Sequence, residues 1–307
     1  MPKMNISRTK HISASAEKIF SILNDFNHWP AWSPWLIMEP DVAVTIREDA
    51  KYYEWKGNRT GQGNMAITNE VANESIDYDL AFLTPWKSQS KVRFEIKPQN
   101  EGCEVTLFMD GSLPFFMFWM KKMMESFVGM DYERGLNLLK EYVEDGVVKS
   151  KLDFRGESEF GGTHYIGLKS TCPMAKMGDQ MMADFGKLQD YVESNEGMTV
   201  GATFSIYHKW NMVKREVVYT ACLGVGSKAT GLSNGIMAGE IPATRVYTLR
   251  HVGPYAHLGN AWSTLESMKR GKEFKHVKAI PPFEIYVNDP QKVPSEALIT
   301  DIHFAIK

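Results

Sequence analysis

Phe204-Ser205-Ile206-Tyr207 and Phe283-Glu284-Ile285-Tyr286 are two copies of one alternating strand motif, about 80 residues apart. Outward from them the copies extend. Tyr165–Val225 aligns with Val246–Ile306, placing Leu168-Lys169 on Leu249-Arg250, Pro173 on Pro254 and Gly178 on Gly259. The strand Val217–Val225 aligns position for position with Leu298–Ile306, and the offset drifts by two residues at one loop. Scattered apolar residues match by chance; a shared Phe-x-Ile-Tyr with shared Pro and Gly spacing points instead to an internal repeat. Each copy reads strand, helix, strand, strand, with helices over about Ala175–Glu193 and Ala256–Gly271. Two such units are expected to pair about a pseudo-two-fold axis, with a cleft between them.

The half that precedes the repeat has a different rhythm. Ile6 to Ile12 alternates as a strand, and Ser15 offers an N-cap for a helix carrying Ile19, Phe20, Ile22 and Leu23. Strand-like pieces follow at Val42–Arg47, Tyr52–Trp55, Asn64–Val71, Ser75–Phe82, Ser88–Ile96 and Glu104–Met109, with turn residues between them. No helix intervenes, so an antiparallel meander is expected. From Phe115 to Glu144 the pattern becomes helical, with Tyr132, Leu136, Leu139 and Val143 on one apolar face. That face must lie on the sheet, and a curved sheet closed by one helix is expected to enclose a cavity. Trp29, Trp32 and Trp35, interleaved with Pro30 and Pro34, read as a structured loop at the mouth of that cavity. Tyr53, Trp55, Tyr78, Phe82, Trp86 and Phe94 are candidates to line it, with plain core as the alternative.

Length and composition bound the rest. A chain of 307 residues suggests two domains: 1–147, then a linker at 148–158, then 159–307, with the charged, Gly-rich stretch from Asp145 to Gly162 read as linker or as partly a strand. A hydrophobic content of 43% excludes a disordered chain. A net charge of −2 gives no electrostatic case for nucleic acid or an anionic membrane. The longest apolar run, eight residues from Leu113 to Met120, is far too short to span a bilayer. Cys103, Cys172 and Cys222 are too dispersed for a disulfide framework, which fits a reducing cytoplasm. No His-Glu-x-x-His, paired-Cys or Gly-x-Ser-x-Gly motif is present. Gly224-Val225-Gly226 lacks the third glycine of a dinucleotide fingerprint. No metal and no cofactor is expected.

Two family resemblances emerge from these residues. Ile12-Ser13-Ala14-Ser15-Ala16-Glu17-Lys18-Ile19-Phe20, Trp29-Pro30-Ala31-Trp32-Ser33-Pro34-Trp35 and Tyr132–Lys140 resemble the START/Bet v1-like superfamily in its polyketide cyclase/dehydrase branch. Gly253-Pro254-Tyr255, Trp262, Pro281–Tyr286, Asn288-Asp289-Pro290 and Leu298–Ile302 resemble the GyrI-like, AraC-type effector-binding family. The resemblance implies an α+β protein: a helix-grip antiparallel sheet domain, then a GyrI-like domain of two β-α-β-β repeats. It also implies small-molecule binding, with an acidic residue deep in the second cleft.

The candidate site follows from the repeat. Glu284 and Tyr286, two apart on one strand, share a face, opposite Phe283, Ile285 and Val287. Tyr207 mirrors Tyr286 from the other unit, while Tyr255, His257 and Trp262 lie on or before the second helix. Tyr165 is a weaker candidate. Symmetry is broken at two matched positions, Ser205 against Glu284 and Thr220 against Asp301. If both carboxylates face inward they repel, and a cationic or proton-donating ligand would relieve them. The resulting expectation is a cytoplasmic small-molecule binder for an apolar or cationic compound, of effector-binding type, without its own DNA-binding segment. The alternative is a hydrolase using Glu284 as base with Tyr207 or Tyr286 as donor. A protein partner, by analogy with gyrase-inhibiting relatives, is a third reading.

Overall fold

The computed structural model describes residues 3–84, 87–112, 115–195, 198 and 200–307. Trp86, offered above as a cavity-lining ring, and Leu113, where the apolar run starts, lie outside the described residues. The chain divides into two compact units, Met1–Lys149 and Ser150–Lys307.

The first unit begins with β1 (Lys3–Ile12) and α1 (Ala16–Leu23). Ser15 caps α1, its hydroxyl accepting from the Lys18 N–H at 3.2 Å. A 3₁₀ turn at Phe26–His28 and two single-turn helices, α2 (Trp29–Trp32) and α3 (Pro34–Ile37), come next. Then follow β2 (Ala43–Ile46), β3 (Tyr52–Lys56), β4 (Gln62–Val71), β5 (Ser75–Thr84), β6 (Ser88–Gln99), β7 (Gly102–Ser112) and the long α4 (Lys121–Asp145). The sheet order is β1-β7-β6-β5-β4-β3-β2, antiparallel throughout. Tyr132, Leu136, Leu139 and Val143 form the buried stripe of α4, which ends at Gly146 in the left-handed conformation.

Trp29 and Trp32 do not guard a cavity mouth. Both are buried in the core with Phe26, Tyr53, Tyr78 and Phe94, and ring centroids in this group lie 4.7–6.5 Å apart. The prolines that argued against helix sit in the first turns of α2 and α3, where no backbone N–H is needed. The three-residue spacing then turns both indoles inward. Tyr78 keeps its hydroxyl satisfied by donating to the Leu23 carbonyl at 2.9 Å.

A buried carboxylate fastens α3 to the turn between β3 and β4. Glu39, 4% exposed, accepts from the backbone N–H of Asn58 at 2.6 Å, Arg59 at 3.0 Å and Thr60 at 2.9 Å, and from the Thr60 hydroxyl at 2.9 Å. Burial alone would raise its pKa, but these donors outweigh it and hold the carboxyl below its usual range. A Cβ on Gly57 would sit 2.1 Å from Glu39 Oε2, so only glycine fits there. Glu39→Gln and Gly57→Ala should each destabilise the first unit by about 1–3 kcal/mol in denaturant melts. A depressed pKa stabilises above the unfolded-state value and is lost on acidification. The wild type should therefore lose more stability than Glu39→Gln as pH falls through the carboxylate range; equal slopes would refute the fastening role.

The second unit contains β8 (Lys151–Phe160), β9 (Thr163–Pro173), α5 (Met177–Glu193), β10 (Val200–Asn211), β11 (Glu216–Val225), β12 (Met237–Ile241), β13 (Thr244–Val252), α6 (Leu258–Gly271), β14 (Phe283–Tyr286) and β15 (Ile299–Ala305). Its sheet order is β12-β9-β11-β10-β14-β15-β13-β8. The central pair, β10–β14, sets Phe204 opposite Ile285, Ser205 opposite Glu284 and Ile206 opposite Phe283. Because Phe204 and Phe283 are repeat equivalents, the two-fold axis passes through the Ser205–Glu284 pair.

The segment expected as a linker corrects the repeat. Residues 151–160 form β8, which pairs with β13 of the second copy, while β12 pairs with β9 of the first. Phe160 opposite Thr244 and Ile241 opposite Thr163 are the same pair seen twice. Each repeat is thus β-β-α-β-β, with its leading strand exchanged to the other copy. The sequence hid this because β8 is a half-exposed edge strand, interrupted by Gly156 at φ 75° where the register shifts.

Candidate functional site

The register of the second sheet arranges the helix-side face as a grid. Its central row runs Leu168, Ala221, Ser205, Glu284, Ile302, Leu249. Beside it, one row in the first copy holds Ser170, Tyr219 and Tyr207, and one in the second holds His251, Thr300 and Tyr286. Glu284 therefore stands on the two-fold axis, flanked by two equivalent tyrosines.

Its carboxylate, 1% exposed, is held by three donors. Tyr207 Oη donates to Oε2 at 2.9 Å and Tyr286 Oη to the same oxygen at 3.1 Å. The Trp262 indole N–H donates to Oε1. Tyr286 Oη, its single proton directed at Glu284, also lies 3.1 Å from the Ser205 hydroxyl, which can donate to it. Aromatic walls surround the group. Tyr207 stacks on Trp210 at 5.2 Å and meets the edge of Trp262 at 4.8 Å. Phe185 and Tyr255 approach Tyr286 edge-on at 5.8 and 5.7 Å. Tyr255, 39% exposed, connects this wall to solvent.

No cation answers the Glu284 charge among the described residues that donate to it. Burial pushes its pKa up to about 7, with the Trp262, Tyr207 and Tyr286 donors limiting the rise. Burial and the neighbouring carboxylate push both tyrosines well above the ordinary phenol range, so they remain donors.

Asp301 is a correction. It pairs with Ile285 and Arg250, one step off the row of Glu284, and so faces the opposite side of the sheet. There Arg250 clamps it through Nε at 2.7 Å and Nη2 at 2.8 Å. Thr220 takes the same outer side, opposite Ile206 and Lys169. Of Glu284 and Asp301, only Glu284 thus lies on the helix-side face, and desolvation rather than repulsion between the two raises its pKa. Tyr165 likewise packs on the other face, edge-on to Phe204 at 5.6 Å. Phe185 and Trp210 join the site without a sequence motif to announce them, as does Met181, whose Sδ lies 3.8 Å from Tyr286 Oη. Their signal was available only as apolar positions on α5 and at the end of β10. Among the described residues, no group of three or more His, Cys, Asp or Glu is placed to hold a metal.

Comparison with known families accords with this geometry. A model described as the GyrI-like small molecule binding domain matches residues 158–307, and one described as polyketide cyclase / dehydrase and lipid transport matches 3–144. The two matches follow one another along the chain, one within each compact unit. No curated protein matches it. Among solved structures, the EcmrR C-terminal domain is 20% identical, covering 52% of this chain and 98% of that one, with a TM-score of 0.44. EcmrR in its complex with DNA is 19% identical over 62% of this chain and 69% of that one, also at 0.44. A START superfamily protein from Mycobacterium smegmatis is 22% identical over 47% and 99%, at 0.34. No helix among the described residues is long and apolar enough to cross a membrane.

The raised pKa of Glu284 in the second unit has a thermodynamic consequence. A carboxyl whose folded pKa exceeds its unfolded value stabilises below the unfolded value, and that stability is lost as pH rises through the folded pKa. Between pH 4.5 and about 7 the loss is roughly 2–3 kcal/mol at most. Melting midpoints of the ligand-free protein should fall across this window, and Glu284→Gln should flatten the slope. A variant that keeps the wild-type slope would remove Glu284 as its source.

Proposed function

We propose that the GyrI-like half captures an organic cation, with Glu284 as its counter-charge and the aromatic walls as its cage. The observation that carries this reading is a single carboxylate buried among rings, with hydroxyl and indole donors but no cationic partner donating to it. An ionised carboxylate in that setting carries a large desolvation penalty that hydrogen bonds offset only in part. A bound cation supplies the missing charge, and Trp262, Tyr207 and Tyr286 supply ring faces and edges for its apolar groups. The chain then acts as a sensor or buffer of such compounds in the cytoplasm. With a net charge of −2, it is expected to show no salt-sensitive binding to duplex DNA.

The test is calorimetric titration with an aryl trimethylammonium salt and with its uncharged tert-butyl isostere. The cation should bind more tightly, and Glu284→Gln should weaken it about 10- to 100-fold, the scale of a lost hydrogen bond or contact to a charge. Affinity should rise from pH 6 to pH 8 as Glu284 gives up its proton, and that dependence should vanish in the variant. Equal binding of cation and isostere would overturn the proposal. A second reading is favoured by Tyr207 standing 2.9 Å from a carboxylate with a pKa near neutrality, an acid–base pairing suited to hydrolysis. Turnover of an activated ester, abolished by Glu284→Gln, would support that reading over simple capture.

A further inference from the structure

The repeat supplies an internal control for every position in the cleft. In the first copy the cross-strand pair Ser170–Tyr219 is closed by Asp184 of α5. Asp184 is buried and accepts from Ser170 Oγ at 2.6 Å, Tyr219 Oη at 2.7 Å and Gln180 Nε2 at 3.0 Å. All the polar tips in that row are satisfied.

The matching pair in the second copy is His251–Thr300, and the residue matching Asp184 is Leu265. Leu265 is fully buried and offers no acceptor or donor. Ser150 reaches only the far nitrogen, with its Oγ 2.9 Å from His251 Nε2. His251 Nδ1 and Thr300 Oγ1 have no hydrogen-bond partner in the protein, although His251 is 0% and Thr300 1% exposed. These are two buried polar atoms on directly opposed residues, both on the helix-side face and in the row of Tyr286, with hydrogen-bonding capacity that no protein group uses.

We propose that Thr300 and His251 form a second, uncharged subsite of the Glu284 cleft, which takes a neutral hydrogen-bonding group of the ligand such as a carbonyl. This rests on the cation reading above and extends it from a charge to a two-point pattern. Thr300 lies one strand over and one row along from Glu284, and such diagonal neighbours are about 7–8 Å apart. The ligand class is therefore a cation bearing a carbonyl or similar group at about that separation. Burial holds the His251 imidazole neutral, its pKa lowered to about 4, so the subsite has no charge with which to select an anion.

Two probes separate the outcomes: 4-acetylbenzyltrimethylammonium, whose ketone oxygen lies at a comparable distance from the ammonium, and its 4-isopropyl analogue, which has the same shape without an acceptor. The wild type should prefer the ketone by about two- to tenfold. Thr300→Val should erase that preference while leaving affinity for the isopropyl probe unchanged. Thr300→Ser, which retains the hydroxyl, should keep it. Ligand-free Thr300→Val should melt no lower than wild type, because it removes an unsatisfied polar atom without changing shape. Equal binding of the two probes to the wild type overturns the subsite, and if Glu284→Gln still weakens both probes the cation reading survives. A lower melting point for Thr300→Val with no ketone preference assigns the two atoms to a structural water only, and also overturns it. Loss of any effect from Glu284→Gln refutes the cation reading itself.

Discussion

The second unit depends on one pairing: Ser205 against Glu284 at the centre of β10–β14. A two-fold arrangement of repeats necessarily presents equivalent groups on either side of its axis, here Tyr207 and Tyr286. A residue beside that axis can be reached from both. Placing a carboxylate there lets two phenols from different copies converge on one oxygen, which neither copy could achieve alone. The hydroxyl of Ser205, in the equivalent position, is too short to compete and instead lies beside Tyr286. The charge is thereby fixed in a dry environment by groups that stabilise it without neutralising it.

Exchange of the leading strands makes that arrangement rigid. β8 completes the sheet beside the second copy, and β12 completes it beside the first. Neither copy can therefore separate from its mate without breaking three ladders of backbone hydrogen bonds, β8–β13, β12–β9 and β10–β14. The same duplication allowed the two halves of the cleft to diverge in chemistry while keeping one scaffold. The first copy closed its flanking row with Asp184 and Tyr219; the second has Leu265 and Thr300 at those positions.

Much of this was legible in the sequence. The repeat, the alternating strands and the shared face of Glu284 and Tyr286 all follow from periods of two and from Phe-x-Ile-Tyr recurring. What failed was anything that depended on register between strands. Asp301 matches Thr220 correctly, but whether its row coincides with that of Glu284 is set by how β15 pairs with β14, and that pairing places Ile302 there instead. The strand β8 is legible in the sequence only as a linker that is partly a strand, and its place in the repeat is hidden for a related reason. An edge strand takes its identity from its partner, and its own composition is charged and Gly-rich. Trp29 and Trp32 were misplaced because proline was read as a breaker, when in the first turn of a short helix it is compatible.

The two halves also treat aromatic side chains with polar tips in opposite ways, which bears on where charge can be recognised. In the first unit the indole nitrogens of Trp29 and Trp32 are buried without a partner in the protein, and the rings around them are Phe26, Tyr53, Tyr78 and Phe94. Leaving such a donor unmade costs about 1–3 kcal/mol, so packing of the rings must outweigh it. Among the described residues, the one carboxylate buried near that core, Glu39, is saturated by three backbone donors and the Thr60 hydroxyl and held below its usual pKa range. In the second unit the indole of Trp262 and the phenols of Tyr207 and Tyr286 converge on a carboxylate poised near neutrality. Both halves bury rings, but among the described residues only the second couples them to a carboxylate whose charge can still change near neutral pH, because desolvation there is offset by phenol and indole donors and not by a backbone cradle.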